Sequence, residues 1–230
     1  MSTILSIETA TRTCSVALHQ NGTLIGLQEM HRDKSHSALL HVMIDELLRQ
    51  AEVPRHALSA VALSMGPGSY TGLRIGASAA KGLCYALDIP MLGVNTLIAM
   101  AYGVDTFNPN GAWLCPMIDA RRMEVFCCVQ RGGGEELLAP QPVIIAEGAF
   151  EEYLAQHELW FFGNGSNKCR PLLDEHPNAR FIAEVDPSAR WVGALATEKF
   201  RQQAFEDVAY SVPHYGKAFR TTQPRKRATL

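Results

Sequence analysis

The sequence predicts an α/β protein of mixed sheets with helices packed on them, and three observations carry that expectation. The first 94 residues read as three β runs, a helix, a β run, a helix and a β run, an order that needs both antiparallel hairpins and parallel crossovers. The chain has 230 residues, enough for one large domain or for two lobes that each bury a core. Its composition, 47% hydrophobic, 19% charged and 8% aromatic, is that of a packed globular protein and not of a disordered chain.

Thr3 to Ile7 is a short β-favouring run and Cys14 to Leu18 a second, with the polar stretch Thr9-Ala10-Thr11-Arg12-Thr13 between them. Asn21-Gly22 supplies a hairpin turn into a third strand, Thr23 to Leu27, so the chain opens as an antiparallel meander. Ser35 is a candidate N-cap for a helix in which Leu40, Ile44, Leu47, Leu48 and Ala51 recur at helical spacing until Pro54 stops it. Leu39, Val42 and Met43 widen its apolar arc beyond the stripe that packing on one sheet needs. That width fits a helix sunk deep in its own domain or one with a second, external contact.

Ala60 to Ser64 is a fourth strand. It runs into Met65-Gly66-Pro67-Gly68-Ser69, where Ser69 can cap a helix that continues to about Leu87 and is ended by Asp88-Ile89-Pro90. Gly72, Gly76 and Ala80 fall four apart and, with Ala79, leave one face nearly bare of side chains. Each interior glycine costs about 1 kcal/mol of helix propensity, so another backbone is expected to pack close against it. That backbone belongs to the same domain's sheet or to another subunit. Met91 to Val94 is the fifth strand, and Asn108-Pro109-Asn110-Gly111 marks a boundary between lobes 1–107 and 108–230.

In the second lobe, Trp113 to Ile118 and Glu124 to Gln130 read as paired strands around Asp119-Ala120-Arg121-Arg122, followed by a flexible turn at Gly132-Gly133-Gly134. A strand near Val143 to Ile145, a helix from Glu147 to about Ala155 and a strand at Leu159 to Phe162 come next. A last helix spans about Ser188 to Gln203, and Val212-Pro213-His214-Tyr215 is an extended exit.

Net charge narrows the function. Twenty-one Lys plus Arg against 23 Asp plus Glu give −2, which leaves no chain-wide positive field for a stand-alone nucleic-acid binder. Lys217, Arg220, Arg225, Lys226 and Arg227 close the chain with no acid after Asp207, a pattern that suits either phosphate contact or a solubilising terminus. Apolar runs stop well short of the roughly 18 residues of a membrane span. Met1 to Glu8 lacks the basic start of a signal peptide, so a cytoplasmic location is expected. The six cysteines form no C-x-x-C pair and read as reduced thiols packed as small hydrophobes.

Several chemistries are missing their residues. No Lys follows the glycines of the 66–72 loop as a P-loop requires, and G-x-G-x-x-x-G is not the dinucleotide spacing. Ser64 and Ser69 are not in a G-x-S-x-G elbow, and no zinc spacing is present. His36 and His41 are five apart, which splays them around a helix. Glu8, after the first strand, and Asp119, at the second lobe's hairpin, are the candidate carboxylates, because in a two-lobed fold both positions can face a cleft.

Taken together, Ile7-Glu8-Thr9-Ala10 with Cys14-Ser15-Val16-Ala17-Leu18, the run Gly66-Pro67-Gly68-Ser69-Tyr70-Thr71-Gly72-Leu73-Arg74-Ile75-Gly76, Gly93-Val94-Asn95-Thr96-Leu97 and Ile118-Asp119-Ala120-Arg121 resemble the TsaB (YeaZ-type) family. The run from Gly66 to Gly76 is the specific part, and the second lobe matches only loosely. Glu8 stands where the family usually has Asp, and His214-Tyr215-Gly216-Lys217 where a Tyr-Leu-Arg run is often found.

The resemblance implies an actin-like, sugar-kinase-like fold of two related lobes. It also implies a part in making threonylcarbamoyladenosine next to the anticodon of tRNA. In that pathway TsaC makes threonylcarbamoyl-adenylate from threonine, bicarbonate and ATP, TsaD transfers the group to the adenosine, TsaB pairs with TsaD, and the ATPase TsaE joins them. This chain lacks the H-x-x-x-H metal motif of TsaD, so the expectation is a non-catalytic subunit with no metal or cofactor of its own, in a complex that uses ATP and Mg2+.

The expected interface, with TsaD or with a second copy when alone, is Leu39, Val42 and Met43 with Gly72, Gly76, Ala79 and Leu83. Gly66, Pro67, Gly68 and Ser69 are the expected structural loop. A large residue at Gly76 is then expected to break the partner contact and spare the fold. The alternative is an actin-fold ATPase or kinase using Glu8 and Asp119 in the cleft.

Overall fold

The computed structural model describes residues 2–32 and 36–216. Ser35, the expected first-helix cap, and Lys217 to Arg227, the basic tail, lie outside the described residues. The first lobe contains β1 (Thr3–Glu8), β2 (Thr13–Gln20), β3 (Thr23–His31), α1 (His36–Gln50), β4 (Ala60–Ser64), α2 (Tyr70–Leu87), β5 (Met91–Val94) and α3 (Thr96–Asp105). The second contains β6 (Trp113–Asp119), β7 (Glu124–Gln130), β8 (Glu136–Ile144), α4 (Glu151–Leu154), β9 (Leu159–Phe162), α5 (Arg170–Leu173), β10 (Ala179–Ile182) and α6 (Ala189–Arg201).

The two lobes repeat one topology. The first sheet has the order β3-β2-β1-β4-β5, with β1–β2 and β2–β3 antiparallel and β1–β4 and β4–β5 parallel. The second has the order β8-β7-β6-β9-β10 with the same pattern of antiparallel and parallel pairs. β6 is thus the counterpart of β1 and β7 of β2, and the turn after Asp119 corresponds to the turn after Glu8.

Both sheets are covered on both faces, which explains strands that are apolar at nearly every position. In the first sheet Leu5, Ile7, Val61 and Leu63 face α1 and α2, while Ile4, Ala60, Ala62, Leu92 and Val94 face Val192 and Ala196 of α6. In the second, Cys115, Met117, Cys127 and Val129 face Leu154 and Leu173 on the α4–α5 side, whereas Leu114, Ile118, Phe126 and Cys128 face Leu97, Met100 and Ala101 of α3. This alternation of period two sorts each strand's side chains into separate cores.

The two inner helices exchange lobes. α3, from the first lobe, covers the second sheet, and α6, from the expected 108–230 lobe, covers the first. They meet each other through Gly103 and Trp191, where a Cβ on the glycine would overlap the indole. α3 has no counterpart among the sequence expectations because it is apolar all round. Ala99 enters one core while Leu97 and Met100 enter another, so no stripe marks it. Its cap was visible: Asn95 Oδ1 accepts from the N–H of Leu97 and Ile98 at 2.9 and 3.2 Å.

Other departures are local. β8 is longer than the expected Val143 to Ile145 because it is an edge strand, where Pro140 and Pro142 are tolerated. The helix expected over Glu147 to Ala155 shrinks to the single turn of α4, since Gly148 and Phe150 take φ of +80° and +67°.

Candidate functional site

The strand ends β1 and β6 bring the duplicated turns to the space between the lobes. A cleft of about 610 Å³ opens there, lined among others by Thr11, Arg12, Ser69, Asp119, Arg121 and Tyr215. Glu8 does not line it. Its side chain is fully buried beneath the turn, with Oε1 accepting the Ala10 N–H at 2.6 Å and the Ser64 hydroxyl at 2.8 Å. Oε2 is buried without a hydrogen-bond partner among the described residues. Burial pushes the carboxyl up to about 7, against the pull of the Ala10 and Ser64 hydrogen bonds.

Asp119 does face the cleft, and it is occupied. Oδ1 accepts the Arg121 N–H at 2.5 Å and the Lys168 ammonium at 2.8 Å, and the same Lys168 Nζ donates to the Glu124 carbonyl at 2.8 Å. Partial burial pushes this carboxyl up, but the Lys168 hydrogen bond, the Arg121 N–H and the charges of both residues outweigh it and hold Asp119 below the usual carboxylate range. The expectation that Glu8 and Asp119 face one space together is therefore corrected: one is sealed in the core and the other is held by a lysine that sequence reasoning did not single out.

This arrangement fits a magnesium nucleotide poorly. A kinase-like site needs carboxylates free to hold Mg2+ and turns that cradle phosphates. Here the turn after Glu8 carries Arg12, whose guanidinium sits 3.9 Å from Asp186. The N-terminus of α2 is closed on its own lobe, with the Ser69 N–H donating to Ala10 O at 2.6 Å and the Ser69 hydroxyl capping Gly72 at 3.3 Å. The turn after Asp119 places Arg121 and Arg122 at φ of +67° and +48°, a left-handed pair more usual for Asn or Gly.

The 66–69 loop is a fastening. Gly66, at φ +97°, lies against the His214 carbonyl and Gly68 against Ala10, so closely that a Cβ at either would overlap backbone. The His214 N–H donates to Met65 O at 2.6 Å, and the Thr96 N–H to Gly66 O at 2.9 Å. Pro67 is buried between them. The loop thereby joins the turn after β1, the start of α3 and the C-terminal segment, whose Tyr215 ring packs 4.6 Å from Tyr70 at the cleft mouth.

The expected interface residues of α1 and α2 divide into two groups. Met43 is 7% exposed and packs in the core with Leu40, Ile44 and Leu47. Gly72 and Gly76 face inward too, where a Cβ would overlap the Thr9 carbonyl and the Thr9 hydroxyl respectively. These three are corrected from interface to core: what the glycines pack against is Thr9, just after the lobe's own first strand, by its carbonyl at Gly72 and by its side chain at Gly76. The other group looks outward. Val42 is 57% exposed, and Leu39 and Leu83 are half-buried with one side packed on that core; Ala79, at 4% exposed, belongs with the core group and is likewise corrected, reaching only the floor of a shallow groove lined with it by Ser37, His41, Arg74, Ile75 and Ser78. Ile75, half-buried at the edge of the groove, and Tyr85, exposed further along α2, lie outside the glycine spacing that the sequence marks.

Comparison with known proteins places the chain among relatives. The model of the family described as TsaD, tRNA N6-adenosine threonylcarbamoyltransferase, matches residues 28–225. The tRNA threonylcarbamoyladenosine biosynthesis protein TsaB of Bacillus subtilis is 33% identical over 222 residues, 93% of each chain. The protein of the same description from Escherichia coli is 40% identical over 124 residues, 54% of this chain, so the match spans only about half (52%) of that relative's length. A Pseudomonas aeruginosa crystal structure, described as similar to the peptidase YEAZ, superposes with a TM-score of 0.79 at 26% identity, covering 94% of this chain and 100% of that one. With the duplicated topology, this is the actin-like, sugar-kinase-like fold that the resemblance implied.

Proposed function

Because this chain belongs to the TsaB family, we propose that it is the non-catalytic, partner-holding subunit of tRNA threonylcarbamoyladenosine synthesis. It binds TsaD, the transferase that acts on the adenosine next to the anticodon, with the ATPase TsaE joining the pair. The observation that carries this reading is the outer side of α1 and α2, where Val42 is exposed and Leu39 and Leu83 are half-buried beside a shallow groove between the helices lined by Ser37, His41, Arg74, Ile75, Ser78 and Ala79. Two helices with a shallow groove between them are what a matching helix pair packs into, and the apolar side chains beside this one give such a pair something to cover. A second copy fits the same face when TsaD is absent.

The cleft supports the accessory role. It offers no pair of free carboxylates among the described residues, since Glu8 is sealed and Asp119 is held by Lys168. ATP and Mg2+ are on this reading used by the complex, and this chain binds neither. The net charge of −2 fits a subunit that leaves tRNA phosphates to its partner, and on this reading the protein works beside its tRNA in the cytoplasm.

The test is co-elution with TsaD of the double variant Val42→Arg, Ser78→Arg, both at exposed positions. Two guanidinium groups on this face should abolish the complex while the melting curve of the isolated chain stays in place. A complex that survives both charges would overturn the assignment of this face. Turnover of ATP by the isolated chain would favour the kinase-like alternative.

A further inference from the structure

A second cavity, of about 460 Å³, lies away from the α1–α2 face, where α3 and α6 cross between the sheets. Two indoles, Trp160 of β9 and Trp191 of α6, form part of its wall with Met100 and Val104 of α3, Ile182 of β10 and Leu27 of β3. Volume and lining are those of a small-molecule site, mostly apolar with a minority of charged and polar side chains.

The charged part of that lining is acidic on balance. Glu29, Glu184 and Asp186 contribute to it, against His31 and Arg190. Asp186 is already satisfied, taking the Thr13 hydroxyl and His31 Nδ1 each at 3.1 Å, with Arg12 at 3.9 Å. Arg190 lies over the Trp191 ring at 5.2 Å, so this wall already holds one cation on an aromatic face. Glu29 uses Oε1 to accept the Ser188 hydroxyl, and among the described residues its Oε2 has only His31 Nε2, at 4.0 Å. Glu184 is exposed and has no hydrogen bond or ion pair among the described residues. An indole face and an unsatisfied carboxylate both attract cations, and here they line one cavity.

We infer that this cavity binds an organic cation with a planar apolar body, the body lying among Trp160, Trp191 and the α3 side chains and the ammonium group meeting Glu29 and Glu184. The site is separate from the proposed partner face and does not depend on it.

Phenethylamine is a suitable probe, with 3-phenylpropionate, the anion of similar shape, as its control. In calorimetric titration of the full chain the amine should bind saturably and the anion at least about tenfold more weakly, since one charge-assisted contact is worth that factor or more. Glu184→Gln, a change at an exposed residue that leaves the cavity's shape intact, should weaken the amine several-fold and leave the melting curve unchanged. Val185→Trp, which fills the cavity, should abolish binding. Equal affinity for amine and anion, unaltered amine binding in both variants, or no saturable amine binding would each overturn the assignment.

Discussion

Glu8 and Asp119 occupy equivalent positions at the ends of β1 and β6, and each carboxylate accepts the N–H two residues further on, Ala10 at 2.6 Å and Arg121 at 2.5 Å. Their environments are opposite. Glu8 is sealed in apolar surroundings and pushed up to about 7, whereas Asp119 is 44% exposed, ion-paired to Lys168 and held low. A duplicated turn has thus been kept as architecture in both lobes and has lost its chemical symmetry.

Glu8 makes stability fall as pH rises. Its folded pKa lies above that of the unfolded chain, so the native state holds the proton longer, and stability present below about 4.5 is lost as pH climbs through 7, by about 3 kcal/mol in all. His19 works the other way. Burial, helped by the charge of Arg190, lowers it to about 4, so its contribution is complete above 6.5 and lost as pH falls towards 4. In the native protein the two slopes oppose each other between pH 4.5 and 6.5. Glu8→Gln should therefore expose a stability that rises with pH through that window, read from urea midpoints across it. An unchanged pH profile would contradict the buried, proton-holding carboxyl.

The glycines of α2 should separate cleanly by position. Gly72→Ala drives a methyl into the Thr9 carbonyl and should cost about 1–3 kcal/mol or more. Gly82 has open space around it on the exposed side, and Gly82→Ala should stabilise by about 0.5–1 kcal/mol through the unfolded chain. Gly76→Leu belongs with Gly72 and should show itself as a melting defect before any partner is added. Denaturant titration of the isolated variants decides all three.

Lys168→Met should release both Asp119 and the Glu124 carbonyl. The expected cost is about 1–3 kcal/mol, from two hydrogen bonds lost by a side chain that is 17% exposed. The Asp119 pKa should rise at the same time, which carboxylate-resolved NMR titration would detect. An Asp119 pKa that stays low in this variant would mean that the turn's own N–H suffices.

The thiols should be silent until the chain unfolds. All six cysteines are buried, and burial pushes Cys14 and Cys84 up to about 11 and Cys169 to about 12, so thiolate is scarce near neutrality. A disulfide reagent should label none in native protein and six in denaturant. Rapid labelling of a native thiol would show a core opening that the packing does not suggest.

Local signals placed most of the elements. β4 and β9 have the bounds that their β-branched and aromatic runs indicate, and α2 starts at Tyr70 because Ser69 caps it. What was illegible is what depends on the far side of an element. α3 has apolar residues on every face because two sheets share it, so period 3.6 is erased. The wide arc of α1 is visible in sequence, but whether Met43 or Val42 turns inward depends on the helix's rotation over β2.

By itself the sequence determined the first mixed sheet, the hairpin that opens the second, the capped glycine-rich helix and the need for a close neighbour at Gly72 and Gly76, since propensity, turns and periodicity are properties of neighbouring residues; the second mixed sheet was implied by the family resemblance alone. Only the tertiary structure decided that this neighbour is the chain's own Thr9, that α3 and α6 trade lobes, and that of two equivalent carboxylates one is sealed and one is paired. Each of those depends on residues far apart in the chain meeting across a packed interface, and burial and partner charge set the chemistry there.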